Sequence, residues 1–383
     1  MFVSPFANPY KNSDPYSNSK IEIIKNQPKN ELGNRYLNFL AGRDGCAYYR
    51  REFLGNHINM TGIGESVTLT KMVLQEEWYE GFKTITLQRQ AANHQKEFIK
   101  FLKSIQPKYG FKLIYEVDDV VFREEIPDYN ASKHEFDNDE IRQNCIDMIN
   151  MCDEVTVTCK FMRDLYMDKT GKREITVVPN FMPYSWIGHQ YDYRKIVDTF
   201  DKNKKKPRIV YAGSGAHFDV KNLNGGQDDF SHVLKFFVDN RHKYQFVFIG
   251  ACPPQLYKYV VSREIELHPW KSLLEYPTFL ASLNAQLFLA PLMDNNFNKA
   301  KSDIKFIEAA QLGIPCLVQN IETYHTAPPE MKFDNSEDLA VKVEEMLNWK
   351  NRSKYYKLVP QLREFGTSRF LELPDNVGCW MEA

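Results

Sequence analysis

Residues 297–318, FNKAKSDIKFIEAAQLGIPCLV, place two cations and a carboxylate at helical spacing: Lys301, Lys305 and Glu308. On a helix these share one face, while Phe306, Ile307 and Ala310 fall on the other. Ser302 suits the N-cap and Asp303 the first turn; Gly313 suits the position after the helix, and Pro315 blocks its continuation. The spacing therefore predicts a helix over 302–312. The amino end of such a helix offers free N–H groups and a positive dipole end to an anion. Glu308 stands two turns beyond Lys301, roughly 10 Å along the same face. That is about the span from a diphosphate to the hydroxyls of the ribose it carries. Lys301 would then hold phosphates, and Glu308 would accept from the ribose hydroxyls. The competing reading is a solvated face with Lys–Glu pairs, worth a few tenths of a kcal/mol.

The elements needed to position these residues can be read along the chain. RYLNFLA (35–41), FKTITLQR (82–89), FKLIYEVDD (111–119), EVTVTC (154–159) and EITVVPN (174–180) read as strands. Helical stretches lie between them near 94–106, 139–151 and 160–168. The polar segment 191–208 suits a connection. Alternation then restarts with strands at 208–214, 245–251, 265–270, 285–292 and 314–320, and helices near 228–241, 272–283, 302–312 and 336–349. Such alternation implies α/β architecture: two Rossmann-like, doubly wound parallel sheets facing a central cleft. The expected division is a first domain over 1–190, a second over 205–350, and C-terminal helices over 351–383, broken at Pro360, that cross back to the first domain. Residues 1–19 read as an irregular arm. Ligands of open parallel sheets bind beyond the carboxyl ends of the strands, so the residues just after each strand are the ones to inspect.

Bulk composition sets the outer bounds. The chain has 383 residues, 43 % of them apolar, which is enough for two cores. A net charge of −1 gives no global signature of nucleic-acid binding. Seven cysteines, an odd number without a CxxC pair, fit a reducing, cytoplasmic setting better than a disulfide framework. Cys145, Cys152 and Cys159 recur every seven residues, a pattern read here as small apolar packing. No run reaches the roughly 20 apolar residues of a membrane span.

The run LFLAPLMDNNFNKAKSDIKFIEAAQLGIPCLV resembles the donor-binding segment of GT-B-fold glycosyltransferases of the retaining, family 4-like kind. It has the apolar strand, Pro-Leu, a variable loop, Lys-Ser, a helix with Glu, and Gly-x-Pro. GCAYYR (45–50), LQR (87–89), YEVDDVVF (115–122) and YAGSGAHFD (211–219) extend the resemblance over about 35–350. It implies transfer of a sugar from a nucleoside-diphosphate donor, UDP favoured, with no further cofactor and no required metal. It implies that Glu308 binds ribose and that Lys301 and Ser302, with Asp303 beside them, meet the diphosphate. Gly45, Gly213, Ser214 and His217 would contact the donor, and His268 and Trp270 would lie by the nucleotide base. Many relatives carry a second carboxylate seven residues before the Glu; here that position is Lys301.

Asp118 and Arg89 are the remaining candidates for chemistry, and Arg50 and Asp119 for the acceptor. Neighbouring carboxylates at a strand end point to opposite faces, so Asp118 and Asp119 cannot easily chelate one ion. Similar motifs occur in phage enzymes that glycosylate modified bases, which would place this chain in a host cytoplasm with double-stranded DNA as partner. KNKKKPR (202–208) and WKNRSKYYK (349–357) would meet that DNA, by phosphate contact and base stacking. A glycan or lipid-linked acceptor and a non-catalytic nucleotide-sugar binder are the other readings.

Overall fold

The computed structural model describes residues 34–42, 45–189, 206–220, 222 and 226–382. The expected N-terminal arm and most of the 191–208 connection, including 202–205 of the basic run, lie outside the described residues.

Two six-stranded sheets, each parallel throughout, form the frame. The first runs β2-β1-β3-β4-β5-β6, with β1 Arg35–Phe39, β2 Glu65–Leu69, β3 Phe82–Gln88, β4 Lys112–Glu116, β5 Glu154–Val157 and β6 Ile175–Val177. The second runs β12-β11-β10-β7-β8-β9, with β7 Arg208–Gly213, β8 Gln245–Gly250, β9 Ile265–His268, β10 Leu287–Ala290, β11 Cys316–Gln319 and β12 Lys332–Phe333. Their central strands are buried on both faces, as parallel strands covered by helices must be. This is the doubly wound architecture expected from the alternation. The sequence reading missed two edge strands. β2, ESVTL, is half exposed along most of its length, and β12 has two residues, so neither gives an apolar run.

The helices that matter here are α1 Phe53–Thr61, α2 Asn93–Tyr109, α3 Asp139–Met151, α4 Lys160–Thr170, α5 Leu234–Asn240, α6 Tyr276–Ser282, α7 Asn296–Lys299, α8 Ile304–Leu312, α9 Ser336–Leu347, α10 Arg352–Ser368 and α11 Pro374–Glu382. α8 starts two residues later than expected, because Asp303 rather than Ser302 occupies the N-cap position. Gly313 ends it in the left-handed region at φ 72°. Pro360 does not break the C-terminal segment: α10 runs through it.

α7 belongs to the second domain by sequence but packs on the first. Phe297 and Ala300 lie in the same apolar cluster as Leu37, Leu87, Leu113 and Val155 of the first sheet. Burying one Phe stabilises by about 1.5–3 kcal/mol, so this plug fastens the loop after β10 onto the first sheet. At the other end of the chain, the Trp380 ring of α11 lies 4.3 Å from the Arg50 guanidinium and 4.6 Å from that of Arg51.

Candidate active site

Three segments that follow strands of the first sheet reach either α8 and its approach or the loop after β7. After β1, the Tyr49 hydroxyl donates to Glu308 Oε1 at 2.7 Å. After β4, the Tyr129 hydroxyl donates to Asp229 Oδ1 at 2.7 Å. After β6, Asn180 Nδ2 donates to Ser302 Oγ at 2.8 Å. The amino end of α8 thus lies where loops from the carboxyl ends of both sheets converge.

Glu308 is nearly buried and holds two phenols: Tyr49, and Tyr276 of α6 at 3.3 Å from Oε2. Burial pushes its carboxyl up to about 7, against the pull of both phenols and of Lys305. Lys305, one turn earlier, is held down to about 8 by burial and by the neighbouring charge of Lys301. Its Nζ lies 3.4 Å from His217 Nε2 and 5.6 Å from the Tyr211 ring. Lys301 Nζ lies 4.6 Å from the Phe297 ring. Among the described residues, neither lysine has a carboxylate within 4 Å.

His217 follows β7 in the short turn Gly215–His217, which Ser214 caps by accepting from the Ala216 N–H at 3.3 Å. Its Nδ1 is 2.6 Å from Asp229 Oδ2. Burial and the charges of Lys305 and Lys301 press the imidazole down to about 3, so the ring is neutral at physiological pH. Asp229 is nearly inaccessible, and burial alone would raise its pKa. The His217 contact, the Lys301 charge and the Met293 N–H outweigh that and bring it to about 2. Its Oδ1 also accepts from Asn298 Nδ2 at 2.6 Å and the Met293 N–H at 2.9 Å. Gly213 ends β7 because no side chain fits: a Cβ there would stand 2.2 Å from the Tyr211 hydroxyl.

On the first sheet, Asp118 lies beside Arg89, with Nε 3.6 Å from Oδ1. Burial raises the Asp118 carboxyl, Arg89 works against this, and the Glu116 charge adds to it. Arg89 takes φ 50°, an uncommon conformation for a long side chain, directly at the strand end. Asp119 turns away: its Oδ1 accepts from the Val120 N–H and its carbonyl from the Tyr166 hydroxyl.

Lys301, Ser302, Glu308, His217, Gly213 and Ser214 are therefore brought together. Asp303 is not: its carboxylate faces Arg369 at 3.0 and 3.2 Å and Thr326, tying α8 to the segment after α10. Arg50 is withdrawn altogether. It is fully buried and clamps Glu116 with Nε–Oε1 at 2.7 Å and Nη2–Oε2 at 3.1 Å. Its remaining donors go to the Val178 carbonyl and Asn180. A buried carboxylate at the end of β4 needs that partner, so Arg50 holds the strand ends and is not free for an acceptor. His268 lies at the end of β9, 3.2 Å from Glu266 Oε2, and Trp270 packs against Gly250 with nearly half its surface exposed. Gly45 opens the turn that carries Tyr49. The cysteine stripe diverges, Cys145 and Cys152 into the first core and Cys159 toward the carbonyls of Lys299 and Ala300. Sequence reasoning missed Tyr49, Tyr129, Tyr276, Asp229 and Asn298. Their only signal was the types in GCAYYR and in the Asp228–Asp229 pair.

The same frame recurs in solved structures. The chain superposes on Anabaena HepE in complex with UDP at TM-score 0.58 and 9 % identity, over 91 % of this chain and 97 % of that one. HepE in complex with UDP-glucose gives TM-score 0.56 at 10 % identity, over 91 % and 99 %. TarM gives TM-score 0.53 at 10 % identity, over 81 % of this chain and 55 % of that one. The fold is GT-B. No family model and no curated protein matches the sequence. Lys305 and Glu308 lie on α8, Lys301 just before it, and His217 in the short turn after β7. Among the described residues no helix is long and apolar enough to cross a membrane, and no group of three His, Cys, Asp or Glu could hold a metal ion.

Proposed function

We propose that this chain transfers a sugar from a UDP-sugar to an acceptor hydroxyl with retention of configuration. The observation that carries the reading is an electrostatic imbalance. Among the described residues, two lysines with no carboxylate within 4 Å stand at the amino end of α8, and a carboxylate lies one turn beyond Lys305. A diphosphate would neutralise the lysines, and ribose hydroxyls would replace the phenols now on Glu308. Further support comes from HepE, solved with UDP and with UDP-glucose, which shares the fold over nearly its whole length.

The leaving group is itself an anion, so the main task is to stabilise charge that develops on the diphosphate. Lys301, Lys305 and the α8 N–H groups would do that. Asp118 and Arg89 would sit on the acceptor side.

Two acceptor classes are carried into the test: a hydroxymethylated base in duplex DNA, and a glycan or lipid-linked hydroxyl. The 349–357 stretch does not favour DNA. Tyr355 is buried and donates to the carbonyl of Gln286, at the amino end of β10, so the exposed Lys350, Lys354, Tyr356 and Lys357 lie at the far end of the sheet from the site.

The test is product mass analysis with a panel of UDP-sugars and both acceptor classes, with the anomer read by NMR. Transfer with retention is expected. Inversion would remove the stereochemical part of the reading, and UDP binding without transfer or donor hydrolysis would mark a non-catalytic binder. Lys301→Ala should lower kcat by at least about 10²-fold, as loss of one charge-stabilising donor does; unchanged turnover would refute its role.

A further inference from the structure

Lys305 is a partly buried cation whose surroundings look unfinished. Titratable and charged groups face it from several elements. Lys301 and Glu308 lie on its own segment, His217 and Asp229 come from the loops after β7, Tyr211 from β7 and Cys316 from β11. Lys301 repels it. Cys316 is a buried thiol whose pKa is pushed above its ordinary value, so it is neutral. Glu308 is committed to two phenols. Among the described residues, the polar side-chain atom within hydrogen-bond distance is a neutral imidazole nitrogen, at 3.4 Å. Beside it, the Tyr211 hydroxyl is buried and has no hydrogen-bond partner among the described residues. Among the described residues, a partly buried ammonium faces a single neutral acceptor, next to an orphan phenol and a second lysine with no carboxylate within 4 Å, and an anion would complete this arrangement.

The second feature is how Lys305 is aimed. Asp229 is ionised and can only accept, so His217 Nδ1 must carry the proton and donate to it. In the neutral ring Nε2 is then left as an acceptor, turned toward Lys305. Asp229 is itself fixed by Asn298, by the Met293 N–H and, from the first sheet, by Tyr129. The order Tyr129, Asp229, His217, Lys305 runs from one sheet to the other.

Resting on the reading of a nucleoside-diphosphate donor, we propose that Lys305 contacts the donor diphosphate and that Asp229 and His217 are positioning residues that hold its ammonium toward it. Tyr129 extends the positioning chain to the first sheet, so the cation is correctly aimed only when the two sheets are docked. His217 thus acts through Lys305 and does not touch the sugar.

The experiment measures UDP affinity by calorimetry between pH 6 and 9.5, alongside transfer rates, for wild type, Lys305→Met, His217→Leu, His217→Gln and Asp229→Asn. Wild-type affinity should fall as pH rises through about 8, where Lys305 loses its proton. Lys305→Met should bind UDP about 10²-fold more weakly at pH 7 and lose that alkaline limb. His217→Leu should shift the limb to lower pH, because an acceptor for the ammonium is gone. His217→Gln, which can still present a carbonyl, should restore it in part. Asp229→Asn can donate to Nδ1 and turn the imidazole over, aiming an N–H at Lys305, so its limb should also move down. A purely structural role would lower melting temperature without moving the limb.

Nitrogen-15 spectra of the histidines give a readout independent of activity: His217 should show the Nδ1–H tautomer in wild type and not in Asp229→Asn. Wild-type UDP binding with an unaltered Lys305→Met affinity, or His217→Leu with an unmoved limb, overturns this inference and leaves the donor reading intact. A wild-type chain that binds no UDP overturns both.

Discussion

Replacing Glu308 by Gln should make the protein more stable above neutral pH and a poorer binder of its donor. The folded carboxyl titrates near 7 against an ordinary 4.5, because burial disfavours the charged form. The sign follows from linkage. A carboxyl whose folded pKa is raised adds stability below 4.5 and loses it as pH climbs through 7. A difference of about 2.5 units at 1.36 kcal/mol each corresponds to about 3 kcal/mol once the carboxyl is ionised. Gln keeps one acceptor for the Tyr49 or Tyr276 phenol but gives up the stronger bond to a charged oxygen and the attraction to Lys305, which trims the gain to about 2 kcal/mol. Urea unfolding from pH 4.5 to 8.5 should therefore show Glu308→Gln and wild type diverging with pH, with no advantage for the variant at the acid end. Calorimetry on the same samples should show weaker UDP binding, since the ribose loses its anionic acceptor. Parallel stability curves across this range would refute the burial argument. A variant with unchanged UDP affinity would refute the ribose role.

Arg50→Met should cost about 3 kcal/mol in denaturant melts, because it removes the two-bond clamp on buried Glu116 and leaves that charge with Thr156 and the Arg51 guanidinium at 3.7 Å. A loss confined to acceptor affinity, with stability intact, would contradict that placement. Phe297→Ala should cost about 3–5 kcal/mol by emptying the plug that α7 drives into the first core; a surface-like change below about 0.5 kcal/mol would show that the plug is not seated.

Much of the frame was legible in the sequence. The strands at 208–214, 245–251 and 285–292 announce themselves as apolar runs, and α8 through its own signals: one charged face, one apolar face, Gly313 after it and Pro315 beyond. The exact start of α8 was less legible, because Ser302 and Asp303 are both good caps. Tertiary partners decided between them, with Asn180 taking the Ser302 hydroxyl and Arg369 the Asp303 carboxylate. β2 and β12 were hidden because edge strands need little apolar surface.

What the sequence determined by itself is whatever depends on neighbours within one or two turns: the alternation of strands and helices, the end of α8, and the spacing that places Lys305 and Glu308 one turn apart on it, while Lys301 falls just before the helix. Only the tertiary structure decided which charges are paired. Tyr49 meets Glu308 from 259 residues away, Tyr129 meets Asp229 from 100, and Arg50 meets Glu116 from 66. Those pairings follow strand order and domain docking, which bring distant loops to the same strand ends. Burial there sets the charge state of each group, and burial is a property of the packed molecule that no local stretch of residues contains.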